Sequence, residues 1–184
     1  MVQNVQRVKE SEDYWEKIVK PDYTDFFAHL DDIRRAFHLS VSLLHLADWI
    51  YVAHKSAIDG TFTFKDASQQ DRPVDSVPTF ANALGDNCEE FELIRGIANA
   101  SKHLSLTRPG RSANSPIHAA NTSVQTTGYG QGGFGMGPYG GGARVMLAGP
   151  NGNDREFSDL ANKVMTMWED LSDTYQWNLS KRDP

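Results

Sequence analysis

The chain has 184 residues, with 24 acidic against 18 basic side chains, a formal charge of -6 and a pI near 5.4. The acidic balance excludes a protein that coats DNA over its whole surface, and 39% hydrophobic residues with 10% aromatics exclude wholesale disorder. One cysteine, Cys88, excludes a disulfide scaffold and a cysteine-ligated zinc site, and the length favours one domain over 1–184.

The N-terminal run MVQNVQRVKESEDYW has no apolar signal-peptide core, so a reducing cytoplasm is the expected location. Residues 5–19 predict a first helix, with Val5, Val8, Trp15 and Ile18 on one stripe and Pro21 as its stop. Asp22 or Thr24 can cap a second helix over about residues 25–55. Its apolar face is read as Leu30, Ile33, Phe37, Leu44 and Tyr51, widened by Leu43, Leu46 and Ile50. The apolar run 36–53 is interrupted by His38, His45 and Asp48, which hydrocarbon would penalise, so it reads as a buried helix rather than a membrane span.

Residues 59–76 read as loop, opened by Asp59-Gly60, with a short extended piece near 61–64. Pro78 can begin a short helix that Gly85 interrupts. Asn87 with Glu90 three residues on resembles a capping box for a helix running to about Leu104. The helical period then disappears. Residues 117–127 tolerate a strand, and 128–142 hold nine of the 15 glycines. Arg144 to Leu147 reads as a strand, and Pro150-Asn151-Gly152-Asn153 as a hairpin turn. Phe157, Leu160, Ala161, Val164, Trp168, Leu171 and Tyr175 then follow helical spacing, with Asp154 or Ser158 as cap and 180–184 as a frayed end.

These elements predict a mainly α protein. Four or five helices form an up-and-down bundle over 5–104 and 157–179, and a small antiparallel hairpin with a Gly-rich loop is inserted at 105–156. Trp15, Trp49 and Trp168 belong to the expected core, with Met165 and Met167 filling gaps.

Three features bear on chemistry. Gly128-x-Gly130-x-x-Gly133 matches a dinucleotide-binding pattern, but a strand rather than a helix follows, so no helix N-terminus is available for a pyrophosphate; no cofactor is expected. Tyr129, Phe134, Met136 and Tyr139 in the same stretch suit contact with a second copy or a protein partner. Cys88 reads as a small residue in a first helical turn, not a nucleophile.

The second feature is a polar stripe on the long helix. His45 falls within about 20° of His38 on the wheel and Asp48 about 80° away. His45 and Asp48 are one turn apart and can pair. His38 and His45 are about 10 Å apart along the axis, too far to ligate one ion, so no metal is expected.

The third is Arg95, Asn99 and His103, spaced by four on one helix. Two readings stay open. In one the row is structural: Arg95 pairs with Asp48 or another acid of the long helix, and Lys102 with His103 complements the helix C-terminus. In the other the row cleaves RNA without metal. Arg95 then stabilises the anionic transition state, His103 moves a proton at the 2′-hydroxyl, Asn99 orients, and His45 with Asp48 supports them.

Arg95…His103 in a late helix, together with the bundle pattern, resembles the broad HEPN group of helical-bundle proteins over about residues 24–104 and 157–178. Many of that group are RNases or toxin–antitoxin and defence components, and others are inert. Its usual motif has four to six residues between arginine and histidine, with a polar residue after the arginine. Here seven intervene and Gly96 follows. Ser42-Leu-Leu-His45-Leu-Ala-Asp48-Trp49 with Ile97-Ala-Asn99-Ala-Ser-Lys102-His103 also resembles small bacterial or phage-borne proteins with no assigned activity. The expectation is a non-enzymatic, self-associating or protein-binding module, with the HEPN-like ribonuclease as alternative. Homo-oligomer or protein partners are expected, RNA is possible, and membrane and DNA are not.

Overall fold

The computed structural model describes residues 7–102, 119–126, 142–149 and 153–182. His103, the glycine stretch 127–141 and the turn residues 150–152 lie outside them. The described chain is mainly helical with two small antiparallel sheets.

The first helical run is α1, Ser11–Tyr14, a π-helical stretch, Trp15–Val19, and α2, Lys20–Phe27, without a gap. Pro21 does not stop it. In the π stretch the Lys20 N–H reaches back to the Trp15 carbonyl, and Pro21 falls in the first turn of α2, where its missing N–H costs little. Asp22 and Thr24 therefore sit inside α2 and cap nothing. The chain breaks instead at 28–32. Asp32 caps α3, Ile33–Ile58, its Oδ1 accepting from the Arg34 and Arg35 amides at 2.9 and 3.3 Å.

Near the end of α3, His54 leaves helical geometry (φ -123°, ψ 25°). Leu39, Leu43, Leu46, Ala47 and Ile50 are fully buried, whereas Ile33, Phe37 and Leu44 are only partly so. The expected face was thus displaced toward its edge. The physical reason is that α3 is packed from several sides, by the first helical run and by α4, α5 and α6, defined below. By length and hydropathy α3 would suffice to cross a membrane; half of its most apolar window is buried within the fold.

A hairpin of β1, Thr63–Lys65, and β2, Asp71–Pro73, follows. Asp66 builds its turn: Oδ1 accepts from the Ser68 and Gln70 amides and Oδ2 from Arg72 Nε. In α4, Val77–Asn87, Pro78 occupies the first turn, and the Ser76 amide donates to Thr79 Oγ1 at 2.9 Å. Gly85 does not interrupt α4. A Cβ there would stand 2.7 Å from Glu92 Oε2, so the glycine is a gap for that carboxylate. Asn87 does not cap the next helix either; its Nδ2 donates back to the Ala83 carbonyl at 2.8 Å. Helix α5, Glu89–Lys102, starts after Cys88.

The second sheet has the order β3–β4–β5, with β3 Thr122–Thr126, β4 Ala143–Leu147 and β5 Arg155–Glu156. Leu147 opposes Arg155, so β4 and β5 pair antiparallel, with the expected turn between them outside the described residues. Where β5 gives out, the Val145 amide donates to the Leu30 carbonyl at 2.9 Å, fixing the sheet to the α2–α3 connection.

In α6, Phe157–Tyr175, neither Asp154 nor Ser158 is the cap. The helix begins after Glu156, whose carboxylate accepts from Ser158 Oγ at 2.6 Å. The C-terminal segment is not frayed over its described part. Gln176 turns the chain through a left-handed residue (φ 56°), Trp177 and Leu179 are buried, and Trp15 Nε1 donates to the Ser180 carbonyl at 2.7 Å. Arg182 bonds Thr166 and lies over the Tyr23 ring. Trp15, Trp168, Trp177, Phe26, Phe80, Phe91 and Phe157 are the large aromatic side chains of the core, and Met165 is buried among them.

Glu90 ties three elements together, accepting from Arg155 Nη2 at 2.6 Å and Lys163 Nζ at 2.9 Å. Burial alone would raise its pKa, but the bonds from Lys163 and Arg155 outweigh that and bring it down to about 2. The stability it contributes is present above the ordinary glutamate value and is lost as pH falls toward about 2. In acid titrations followed by circular dichroism, Glu90→Gln is expected to be less stable at neutral pH and to flatten the slope below about pH 4.5.

Candidate functional site

Helices α3 and α5 lie side by side, as a centre shared between them requires. Arg95, however, does not pair with Asp48. Its Nη2 stands 2.6 Å from Glu92 Oε2, one turn back on α5, and its Nη1 donates to Asn82 Oδ1 of α4 at 2.9 Å. The two charged side chains are 15% and 5% exposed, so the guanidinium is spent inside the α4–α5 contact. Gly85 leaves the room that this carboxylate occupies. Asn99 is half-buried farther along α5.

Lys102, two turns beyond Arg95, is the residue that reaches the polar stripe of α3. Its Nζ lies 3.5 Å from His45 Nε2. As the ammonium can only donate, Nε2 accepts, and the ring proton belongs on Nδ1. No hydrogen bond joins His45 to Asp48 among the described residues. Burial raises the Asp48 pKa, and the imidazole of His45, when protonated, and the Lys102 ammonium oppose that rise. His38 and Asp48 are exposed and His45 half-buried, so the stripe faces outward.

Beside it, the Tyr14 ring stacks on Trp49 with centroids 5.2 Å apart and planes 18° from parallel. Burial pushes the Tyr14 phenol up to about 12; a hydrogen bond with Ser42 works against this, and the nearby Asp22 and Asp48 charges add to it. Ser42 in turn donates to Asp22. Trp49 is thus the wall of a surface groove, not a core residue as expected. The groove, of about 530 Å³, is lined by residues 9–12, Asp48, Trp49, Val52, Ala53 and His54. Val52 in it is 74% exposed.

No family model, curated protein or solved structure matches this chain. What the arrangement can do is read from its own chemistry. Cys88 is a poor nucleophile, because burial raises its thiol pKa. Among the described residues no three His, Cys, Asp or Glu side chains converge as a metal ion needs. The outward stripe of α3 combines apolar, acidic and basic groups on a rigid helix, which suits contact with another protein.

Sequence reasoning missed Glu92, Asn82, Tyr14, Val52 and Lys102 as participants. The Glu92–Arg95 pair carried a sequence signal, being three residues apart on one predicted helix.

Proposed function

We propose that the chain is a non-enzymatic binding module that self-associates through the outward face of α3, and that its helices form one up-and-down bundle carrying the hairpin as an insertion. The observation that carries this reading is Val52, a large aliphatic side chain 74% exposed on α3 that lines the groove beside Trp49. Val52, Trp49 and Ala53 line one groove as a contiguous apolar patch, which is what a partner surface covers. Hydroxyl-radical footprinting at low and high protein concentration tests it. Oxidation at Trp49 and Val52 is expected to fall as concentration rises, while Tyr175, itself 36% exposed on another helix, stays constant. Unchanged oxidation on α3 would count against the module.

The metal-independent ribonuclease using Arg95 and His103 is the weaker reading. It would have to draw the guanidinium away from Glu92 and Asn82 before any phosphate could be held.

A further inference from the structure

The outward face of α3 has a register. His38, Val41, His45, Asp48 and Val52 follow one another at steps of three, four, three and four residues, the spacing of a seam between two helices. His38, Asp48 and Val52 are exposed, and Val41 and His45 half-buried. The last four of these residues read Val-His-Asp-Val. Turned end for end, they place histidine against aspartate and valine against valine.

Resting on the self-association proposed above, we infer that the partner is a second copy, docked antiparallel with its α3 against this one. The two-fold axis passes midway between positions 46 and 47. In that register His45 opposes the other copy's Asp48, Asp48 opposes its His45, and Val41 and Val52 cover each other twice. The two valines of one helix are about 16 Å apart along its axis, so one helix pair holds all four contacts.

The local chemistry suits this occupant. Lys102 occupies Nε2 of His45, which leaves the Nδ1 proton without a partner among the described residues. A carboxylate from across the axis is an acceptor for it. An unrelated partner would have no reason to match a stripe that is its own complement. A single helix pair falls below the roughly 1,200 Å² of stable interfaces, so a weak dimer, on the order of 10–100 µM, is expected.

Sedimentation velocity on the full chain from about 5 to about 500 µM reads the association. His45→Asp sets aspartates against each other, and Asp48→Lys sets lysine against histidine. Each alone should weaken dimerisation about tenfold or more, and the double variant should return to within about threefold of wild type. A wild-type dimer with no rescue in the double variant overturns this register and leaves association through α3 standing. A monomer throughout the range overturns both. Far-ultraviolet circular dichroism checks that each variant folds. Disulfide trapping gives a readout independent of the charges. In a Cys88→Ser background, oxidising a mixture of Val41→Cys and Val52→Cys chains should give the mixed dimer in excess. Crosslinking of Val52→Cys to itself at an equal rate would overturn the register.

Discussion

Arg95→Ala is expected to lower stability by about 3–5 kcal/mol, because it takes the guanidinium away from the buried Glu92 carboxylate. Glu92 is almost wholly enclosed, and the Asn82 amide would lose its partner at the same time. Restoring neutrality should recover most of the loss. Arg95→Met combined with Glu92→Leu removes both charges and keeps the volume, so it should melt well above Arg95→Ala. Thermal or urea unfolding measures this directly. The same variants decide the ribonuclease reading. If Arg95→Ala kept wild-type stability but abolished RNA cleavage in EDTA, the pair would be incidental and the arginine catalytic.

Trp177→Ala is the second large effect, with an expected cost of about 3–5 kcal/mol. Its indole is 1% exposed and lies against Phe62, Phe80, Trp168 and His54. The segment around it is held by backbone bonds as well: the Leu179 amide donates to Ser172 Oγ at 2.9 Å, and the Arg182 amide to Glu169 Oε1 at 2.9 Å. Removing residues 177–184 should therefore unfold the protein or lower its melting temperature more than the point substitution does. A truncated chain that melts like wild type would contradict the packing described here.

The contrast between these two sites shows what the sequence could yield. Long periodic stretches were legible: α6 begins at the predicted Phe157, and β4 spans the predicted strand. The boundaries that failed turned on local chemistry. Pro21 reads as a stop, yet a π turn places it where a proline is harmless. Asp32 competes with Asp22 and Thr24 as a cap, and only tertiary packing decides among them. Trp177 follows the last periodic residue, so no spacing marks it as core. Its burial comes from the chain folding back over α6.

The candidate site was legible in part for the same reason. That His38, His45 and Asp48 share one side of α3 follows from helical periodicity; that this side faces outward, and not toward Arg95 as the expected shared centre required, does not. The direction of Arg95 does not follow. Which neighbour a guanidinium finds depends on α4, and nothing in the spacing of Arg95, Asn99 and His103 points to Asn82. The glycine at position 85 was the available clue, since a glycine inside a helix commonly marks a close approach.

Sedimentation velocity of wild type beside Val52→Glu tests the central claim most directly. The wild-type weight-average coefficient should climb with concentration toward that of a dimer, while Val52→Glu, folded by circular dichroism, should stay monomeric over the same range. Identical curves for the two proteins would contradict the assignment of α3 as the associating face.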